Sequence, residues 1–348
     1  MVRQRWLHNA AVLGFLFITL LLLLAPGCGG DNDITGDDAC DGTPAQCLRT
    51  QTGWAFEGVT VSNGDVGDVS VVRLADGRWR LYGGRLTNEA TGDRVYHSYT
   101  STDGRAFTED AGYRLTGARL HGGYVVRMAG GGYRMYYADQ NQMVNGRGAT
   151  TIRSAYAPEG LAFTIEAGAR LTYAGTGNEA DGVGGARPVQ LPNGTYRMYY
   201  HGHAGAEDRL LSATSTDGLT WTREAGVRLE SASFCPPEDG PHNISPVYDA
   251  AGNFHLFVTL TRCTGNYVNA KSGIWDATSS DGLSFTFPAS PVVSGYYRKS
   301  TYHGNPGDEF ISPQDPAVMV TSSGLRMFFG LYWAAVKVPE SAIYSMSR

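Results

Sequence analysis

The sequence predicts an all-β chain folded as a five-bladed β-propeller of four-stranded blades. Three observations predict it: a strand–turn–strand pattern that recurs five times, Asp-Gly turns at regular spacing, and a last repeat that lacks a piece found near the N-terminus. Composition agrees. The 348 residues include 46 glycines and 20 tyrosines, and only 18% are charged. Short apolar runs between glycine-rich turns read as strands. The 33 acidic and 28 basic residues give a formal charge of −5, which offers no polycation to nucleic acid.

In each repeat an apolar strand leads through a glycine turn into an Arg-aromatic strand. These second-strand cores are Arg78-Trp79-Arg80-Leu81-Tyr82, Tyr133-Arg134-Met135-Tyr136-Tyr137, Tyr196-Arg197-Met198-Tyr199-Tyr200, Phe254-His255-Leu256-Phe257 and Leu325-Arg326-Met327-Phe328-Phe329. A third strand follows, then a turn: Ser101-Thr102-Asp103-Gly104, Pro158-Glu159-Gly160, Ser215-Thr216-Asp217-Gly218 and Ser280-Asp281-Gly282. Asp-Gly between alternating apolar residues signals a hairpin whose two turn positions both adopt φ > 0. The first strands align at Asp68, Gly122, Gly185, Asn243 and Asp315, a mean period of about 62 residues. That length accommodates four strands and some long loops per blade.

The fifth repeat stops at a third strand, Ser341-Ala342-Ile343-Tyr344-Ser345, while Gly53-Trp54-Ala55-Phe56 matches Gly104-Arg105-Ala106-Phe107. The N-terminal segment is therefore expected to complete the last blade, which closes the ring and leaves no free edge.

Residues 1–28 read as a targeting segment. Arg3 and Arg5 precede an uncharged apolar run, Ala10 to Ala25, and then Pro26-Gly27-Cys28. A small residue before Cys at the end of such a run resembles a lipobox, in which Cys28 is acylated and becomes the N-terminus. Ala25 and Pro26 depart from the usual Leu and Ala or Ser. An ordinary cleaved signal or an uncleaved anchor are the alternatives, although the run is short for a span of ~20 residues. Residues 29–48 are small, polar and acidic and read as a flexible tether; residues 49–348 form the propeller. The expectation is a lipid-anchored monomer of the cell envelope. Beyond Cys28 the cysteines are Cys40, Cys47, Cys235 and Cys263, an even number that permits two disulfides in an exported protein. Cys235 and Cys263 fall in one blade and are expected to pair; the spacings are not those of a zinc site.

Propeller geometry sorts the loops onto two faces. The long connections 84–94, 139–150, 172–184, 231–242, 261–272 and 294–314 share one face, and the other has tight turns. Long loops in a compact domain are commonly functional, so the site is expected on that face, around the axis. Strand entries bring Asp68, His121, His242, Asn243 and Asp315 there. Strand-2 ends add Asp139, His201, His203, Arg262, Tyr332 and Trp333, and crossovers add Glu179, Asp181, Glu238, Asp239, Asp308 and Glu309.

The hairpin Asp68-Val69-Ser70-Val71-Val72-Arg73-Leu74-Ala75-Asp76-Gly77, the segment Asp315-Pro316-Ala317-Val318 and the Ser-x-Asp-Gly-x-x-aromatic turns resemble those of five-bladed glycoside hydrolases. The related group is the arabinanase, β-xylosidase and invertase-like superfamily, in which family 43 is the largest. The resemblance covers about residues 53 to 348 and rests on repeat motifs. It implies a carbohydrate partner, with three carboxylates at the inner-strand entries of the first three blades: a base or nucleophile, an orienting group and a general acid; the residues themselves assign no cofactor and no metal site. One acid must protonate the leaving oxygen while a carboxylate activates water or attacks. Asp68 matches the first position, whereas Gly122 and Gly185 stand at the other two. Glu179 or Asp181 then substitute for the third from the crossover, with Glu238 or Glu309 as further options and Asp315 as an additional axial carboxylate.

Each candidate also has a structural reading. Asp68 and Asp315 can cap inner strands by accepting backbone N–H groups. His121 and His242 line a sugar site or are satisfied imidazoles. His201-Gly202-His203 places two rings on one side, with no third metal ligand identifiable. Tyr332 and Trp333 stack on a sugar or pack the blade. The Asp-Gly motifs resemble sialidase Asp-boxes but lack the residue between Asp and Gly, and no arginine triad is present. Two functions remain open: a cell-envelope glycoside hydrolase acting on a poly- or oligosaccharide with Asp68 as base, and a propeller that binds carbohydrate or protein after losing its acids.

Overall fold

The computed structural model describes residues 47–62, 66–88, 93–115, 119–205, 207–230, 241, 243–262, 271–300, 307–333, 336–337 and 342–348. Five antiparallel sheets follow one another along the chain. Their inner strands are Val66–Arg73, Leu120–Arg127, Val183–Gln190, Ile244–Tyr248 and Gly307–Thr321. Each continues into a second strand: Trp79–Asn88, Tyr133–Asp139, Tyr196–Ala204, Phe254–Arg262 and Gly324–Trp333. Third strands follow at Asp93–Ser101, Thr151–Ala157, Glu207–Ser215, Lys271–Ser279 and Ile343–Ser347. Every inner strand packs on the next, including the fifth on the first, so the ring is closed.

The N-terminal segment completes the fifth blade as expected. Ala55–Val61 pairs antiparallel with Ile343–Ser347, Ala55 opposite Ser347 and Val59 opposite Tyr344. Just before it, Arg49–Thr50 pairs with Val293–Ser294 of the fourth blade, a contact the repeat alignment does not foreshadow. The segment thus laces two blades. Cys47 lies buried at this junction and is disulfide-bonded.

Burial explains why the blades adhere. Five apolar clusters form, one between each pair of neighbouring blades. Between the first and second lie Tyr82, Tyr96, Met135 and Tyr137; between the fifth and first lie Val69, Leu81, Met319 and Phe328. Each fully buried large side chain contributes on the order of 1.5–3 kcal/mol of transfer free energy.

A polar clamp repeats beside these clusters. The second-strand arginine of one blade bonds a carboxylate of its own blade and a carbonyl in the Asp-Gly or Glu-Gly turn of the next. Arg134 donates to both oxygens of Glu166 at 2.8 and 3.0 Å and to the Asp217 carbonyl at 3.0 Å. Arg80 reaches the Glu159 carbonyl at 2.7 Å, and Arg197 the Asp281 carbonyl at 2.6 Å. Arg326 pairs with Glu57 and donates to the Gly104 carbonyl at 3.3 Å, which ties the closing segment to the first blade. The turns themselves correct one expectation: only their glycines adopt positive φ, as at Gly104, Gly218 and Gly282. The aspartates instead turn their carboxylates onto the following N–H groups, Asp217 Oδ1 accepting from Leu219 and Thr220 at 2.8 Å each.

The fourth blade breaks the pattern. His255 stands in the arginine position, with Gln51 and Arg348 beside it. Its Nδ1 lies 2.8 Å from Asp276 Oδ1, and C-terminal Arg348 supplies the cation, 3.0 Å from Asp276 Oδ2.

Two of the long loops fold into hairpins on the site face. Met143–Val144 and Gly148–Ala149 pair with each other, and Ala149 joins the third blade's inner strand at Val183. Tyr296–Ser300 pairs with the start of the long inner strand of the fifth blade.

Candidate functional site

Four of the five inner strands enter through the same irregularity. A register shift follows Gly67, His121, Gly184 and Gln314, and the residue at its start adopts positive φ. These residues are Asp68 (52°), Gly122 (65°), Gly185 (55°) and Asp315 (57°), the positions aligned by the repeat. Asn243 in the fourth blade has no such φ. Left-handed backbone costs a side chain about 1–2 kcal/mol, and Asp and Asn tolerate it because their short polar groups bond locally. The two aspartates therefore need compensating bonds.

Those bonds form a ring. The Asn243 amide donates to Asp315 Oδ1, and Asp315 Oδ2 accepts the Asp68 N–H at 3.2 Å. The Asp68 carboxylate accepts the Gly122 N–H. Arg187 closes the circle: its guanidinium donates to the Gly122 carbonyl at 2.8 Å, to the Ala186 carbonyl at 3.2 Å and to Asn243 Oδ1 at 3.3 Å. It also lies 3.7 Å from Asp68 Oδ1. All five entries are joined. Beneath the ring Arg187 stacks on Tyr124, 5.1 Å from its centroid, and the Tyr124 hydroxyl bonds Ser245 across the axis. These side chains thus cross the axis below the ring.

Asp68 is buried, and burial alone would raise its pKa. Arg94 (3.4 Å from Oδ2), His121, Arg187 and the Gly122 N–H outweigh that, and the carboxyl is held below its usual range. Asp68 is therefore ionised at neutral pH. His121 is solvent-accessible, yet burial is the main cause of its lowered pKa. The Asp68 charge acts on His121, so an exposed imidazole stands near the Asp68 carboxylate on the site face. Its imidazole is uncharged near neutrality. Tyr96, wholly buried, borders the same group; its hydroxyl accepts the Gly123 N–H at 2.6 Å.

The remaining candidates separate. Glu179 lies on a short 3-10 turn, Gly177–Glu179, and its oxygens are occupied by Tyr200 Oη (2.7 Å), Arg223 (2.8 and 2.7 Å) and the Ala174 N–H (2.8 Å). Asp181 bonds Asn145 at 2.6 Å and the Gly205 N–H at 2.7 Å. Both brace the third-blade rim, and none of these partners belongs to the axial ring. Asp139 is paired with Arg153 at 2.6 Å. His203 is held by Asp208 at 2.6 Å; burial opposes the Asp208 charge, but His203 and Arg147 bring its pKa down to about 2. His201 overlies the axial glycine of its blade: a Cβ on Gly185 would lie 2.7 Å from His201 Nδ1. Among the described residues no group of three His, Cys, Asp or Glu side chains is arranged to hold a metal ion. Cys28, Cys235, Glu238, Asp239, His242 and Cys263 lie outside the described residues, as do the side chains of Arg262, Asp308, Glu309, Tyr332 and Trp333.

Sequence reasoning missed Arg94, Tyr96, Tyr124 and Arg187. One signal was available for Arg187. Two residues past each axial position stand Ser70, Tyr124, Arg187, Ser245 and Ala317, and a lone cation in such a buried series asks for partners.

No protein-family model matches the chain, and no curated protein does. Solved structures do. A thermostable family-43 glycoside hydrolase superposes with a TM-score of 0.55 at 14% identity, over 82% of this chain and 91% of that one. An endo-arabinase from Bacteroides thetaiotaomicron gives 0.57 at 11% identity, over 84% and 97%. A family 117 glycoside hydrolase from the marine bacterium Zobellia galactanivorans gives 0.55 at 14% identity, over 84% and 89%. The chain has the five-bladed fold of these enzymes, as its repeat motifs implied.

Proposed function

We propose that this protein is a glycoside hydrolase-like protein of the cell envelope that engages a poly- or oligosaccharide at the axial site. One observation carries the reading: Asp68, at the first blade's inner-strand entry, is held ionised by two arginines near the exposed His121. An ionised carboxylate there is suited to take a proton from attacking water or to attack the anomeric carbon itself. His121 and His201 contact the sugar, and Asn243 and Asp315 keep the entry in shape. With Glu179 and Asp181 committed to the rim, protonation of the leaving oxygen falls to Glu238 or Glu309. The chain is exported and held by a lipid on Cys28; its charged n-region, apolar run and the disulfide at Cys47 support this, since disulfides persist in oxidising compartments.

A specific observation favours a second reading, saccharide binding without turnover. Gly122 and Gly185 carry no carboxylate, and His201 fills the space that a side chain at 185 needs. Sugar release from arabinans, xylans, fructans and aryl glycosides by wild type and Asp68→Asn separates the two. Asn tolerates positive φ, so the substitution removes charge and keeps the backbone. Release abolished in the variant establishes hydrolysis through Asp68. Binding with no release from any substrate establishes the second reading.

A further inference from the structure

We propose that Arg187 is a positioning residue that fixes the Asp68 carboxylate in place and in charge from across the axis, as the closing member of the ring that joins all five strand entries. The proposal deepens the reading of the axial site and rests on it only in giving Asp68 a task.

Three features carry it. Arg187 belongs to the third blade and Asp68 to the first, so the contact at 3.7 Å bridges the axis and not a local turn. The guanidinium has little freedom: it is 2% exposed, donates to the second, third and fourth blades, and lies on the Tyr124 ring. A planar fork with several fixed partners loses little entropy in orienting one more, which a lysine cannot reproduce. Finally, Arg187 is the link without which the ring is open. Asn243, Asp315, Asp68 and Gly122 form a run of successive bonds, and only Arg187 joins Gly122 back to Asn243 among the described residues.

Losing it has two consequences. The Gly122 carbonyl and Asn243 Oδ1 lose their donor, which loosens the backbone of the second entry, and Asp68 keeps Arg94 as its ion-pair partner. Arg94 is not equivalent: it approaches the other carboxylate oxygen from the first blade's own third strand and is partly exposed. It offsets the burial of Asp68 without tying it to the rest of the ring.

The test reads Asp68 directly. The full chain is labelled with carboxyl-13C aspartate, and the Asp68 resonance is identified by its loss in Asp68→Asn. It is then titrated in wild type, Arg187→Met and Arg187→Lys. In wild type Asp68 remains ionised below the ordinary aspartate range. In Arg187→Met its midpoint rises by about one pH unit or more, the size of shift that one nearby opposite charge produces. Arg187→Lys, which keeps the charge but not the fork, recovers part of the shift. An unmoved midpoint in Arg187→Met overturns the proposal. If that variant does not fold, Arg187→Lys decides: an Asp68 resonance and midpoint equal to wild type overturns it, and a displaced midpoint sustains it. The outcome is independent of turnover. A shifted Asp68 in a protein silent on every saccharide ends the hydrolase reading and keeps the role of Arg187. Turnover lost in Asp68→Asn with an unmoved Asp68 in Arg187→Met does the reverse.

Discussion

Replacing Arg134 with Met tests how the blades are held together. The Arg134 side chain is 8% exposed and that of Glu166 is 21% exposed. The substitution removes two bonds to Glu166 and one to the Asp217 carbonyl of the next blade, and it preserves most of the apolar stem. Glu166 then keeps Ser154 Oγ at 2.6 Å as a donor but no cation. Breaking a fully buried ion pair by removing one partner costs about 3–5 kcal/mol. The partial exposure of Glu166 lets water screen the orphaned charge, so the expected loss lies near the lower end, about 3 kcal/mol. For a domain this large that corresponds to a fall in Tm of roughly 6 °C. Thermal unfolding followed by near-UV circular dichroism measures it, with Arg78→Met as the control. Arg78 pairs with Asp76 on the open surface, and its loss should leave Tm unchanged. A Tm for Arg134→Met indistinguishable from wild type would refute the clamp as a source of cohesion between blades.

Two further perturbations follow from the same geometry. Burial disfavours charge on His255, but Asp276 and Asp249 more than offset it and raise its pKa. The folded state therefore binds the proton more tightly. Its contribution is complete below the unfolded imidazole value of ~6.5 and is lost as pH rises through the folded value. Tm should decline across that window in wild type and stay flat there in His255→Gln; identical profiles would sink the idea of a titrating seam. At the clamp turn, Gly218 has φ of 72°, and a Cβ would lie 2.7 Å from both Arg134 Nη1 and Tyr136 Oη. Gly218→Ala should cost more than about 2 kcal/mol in chemical denaturation, whereas Gly194→Ala, with open space around its Cβ, should cost only the backbone strain of about 1–2 kcal/mol.

The blades were legible in sequence because their determinants are local. Alternating apolar residues and Asp-Gly turns are read within one repeat, and the matching of Gly53-Trp54-Ala55-Phe56 to a missing fourth strand needs only the comparison of one repeat with another. The axial positions were legible too, since Asp68, Gly122, Gly185 and Asp315 share one backbone conformation that only Gly, Asp and Asn adopt readily. What those residues touch was not legible. Glu179 sits on the expected crossover, but its partner Arg223 lies 44 residues further on. Asp68 and Asp315 are 247 residues apart, and their bond exists only because the ring closes. The type of turn was misjudged for a related reason. The Asp carboxylate bonds the N–H groups two and three residues on, which stabilises the aspartate at ordinary φ and leaves the left-handed position to glycine alone.

Engagement of a saccharide at the axial site is read out by equilibrium binding. An oligosaccharide panel is titrated calorimetrically into wild type and into His121→Ala, which trims the exposed imidazole near Asp68 and leaves the ring intact. Wild type is expected to bind at least one saccharide, with affinity weakened about tenfold or more in the variant at unchanged Tm, equivalent to ~1.4 kcal/mol. Equal affinity in both proteins, or no affinity for any saccharide in either, would contradict it.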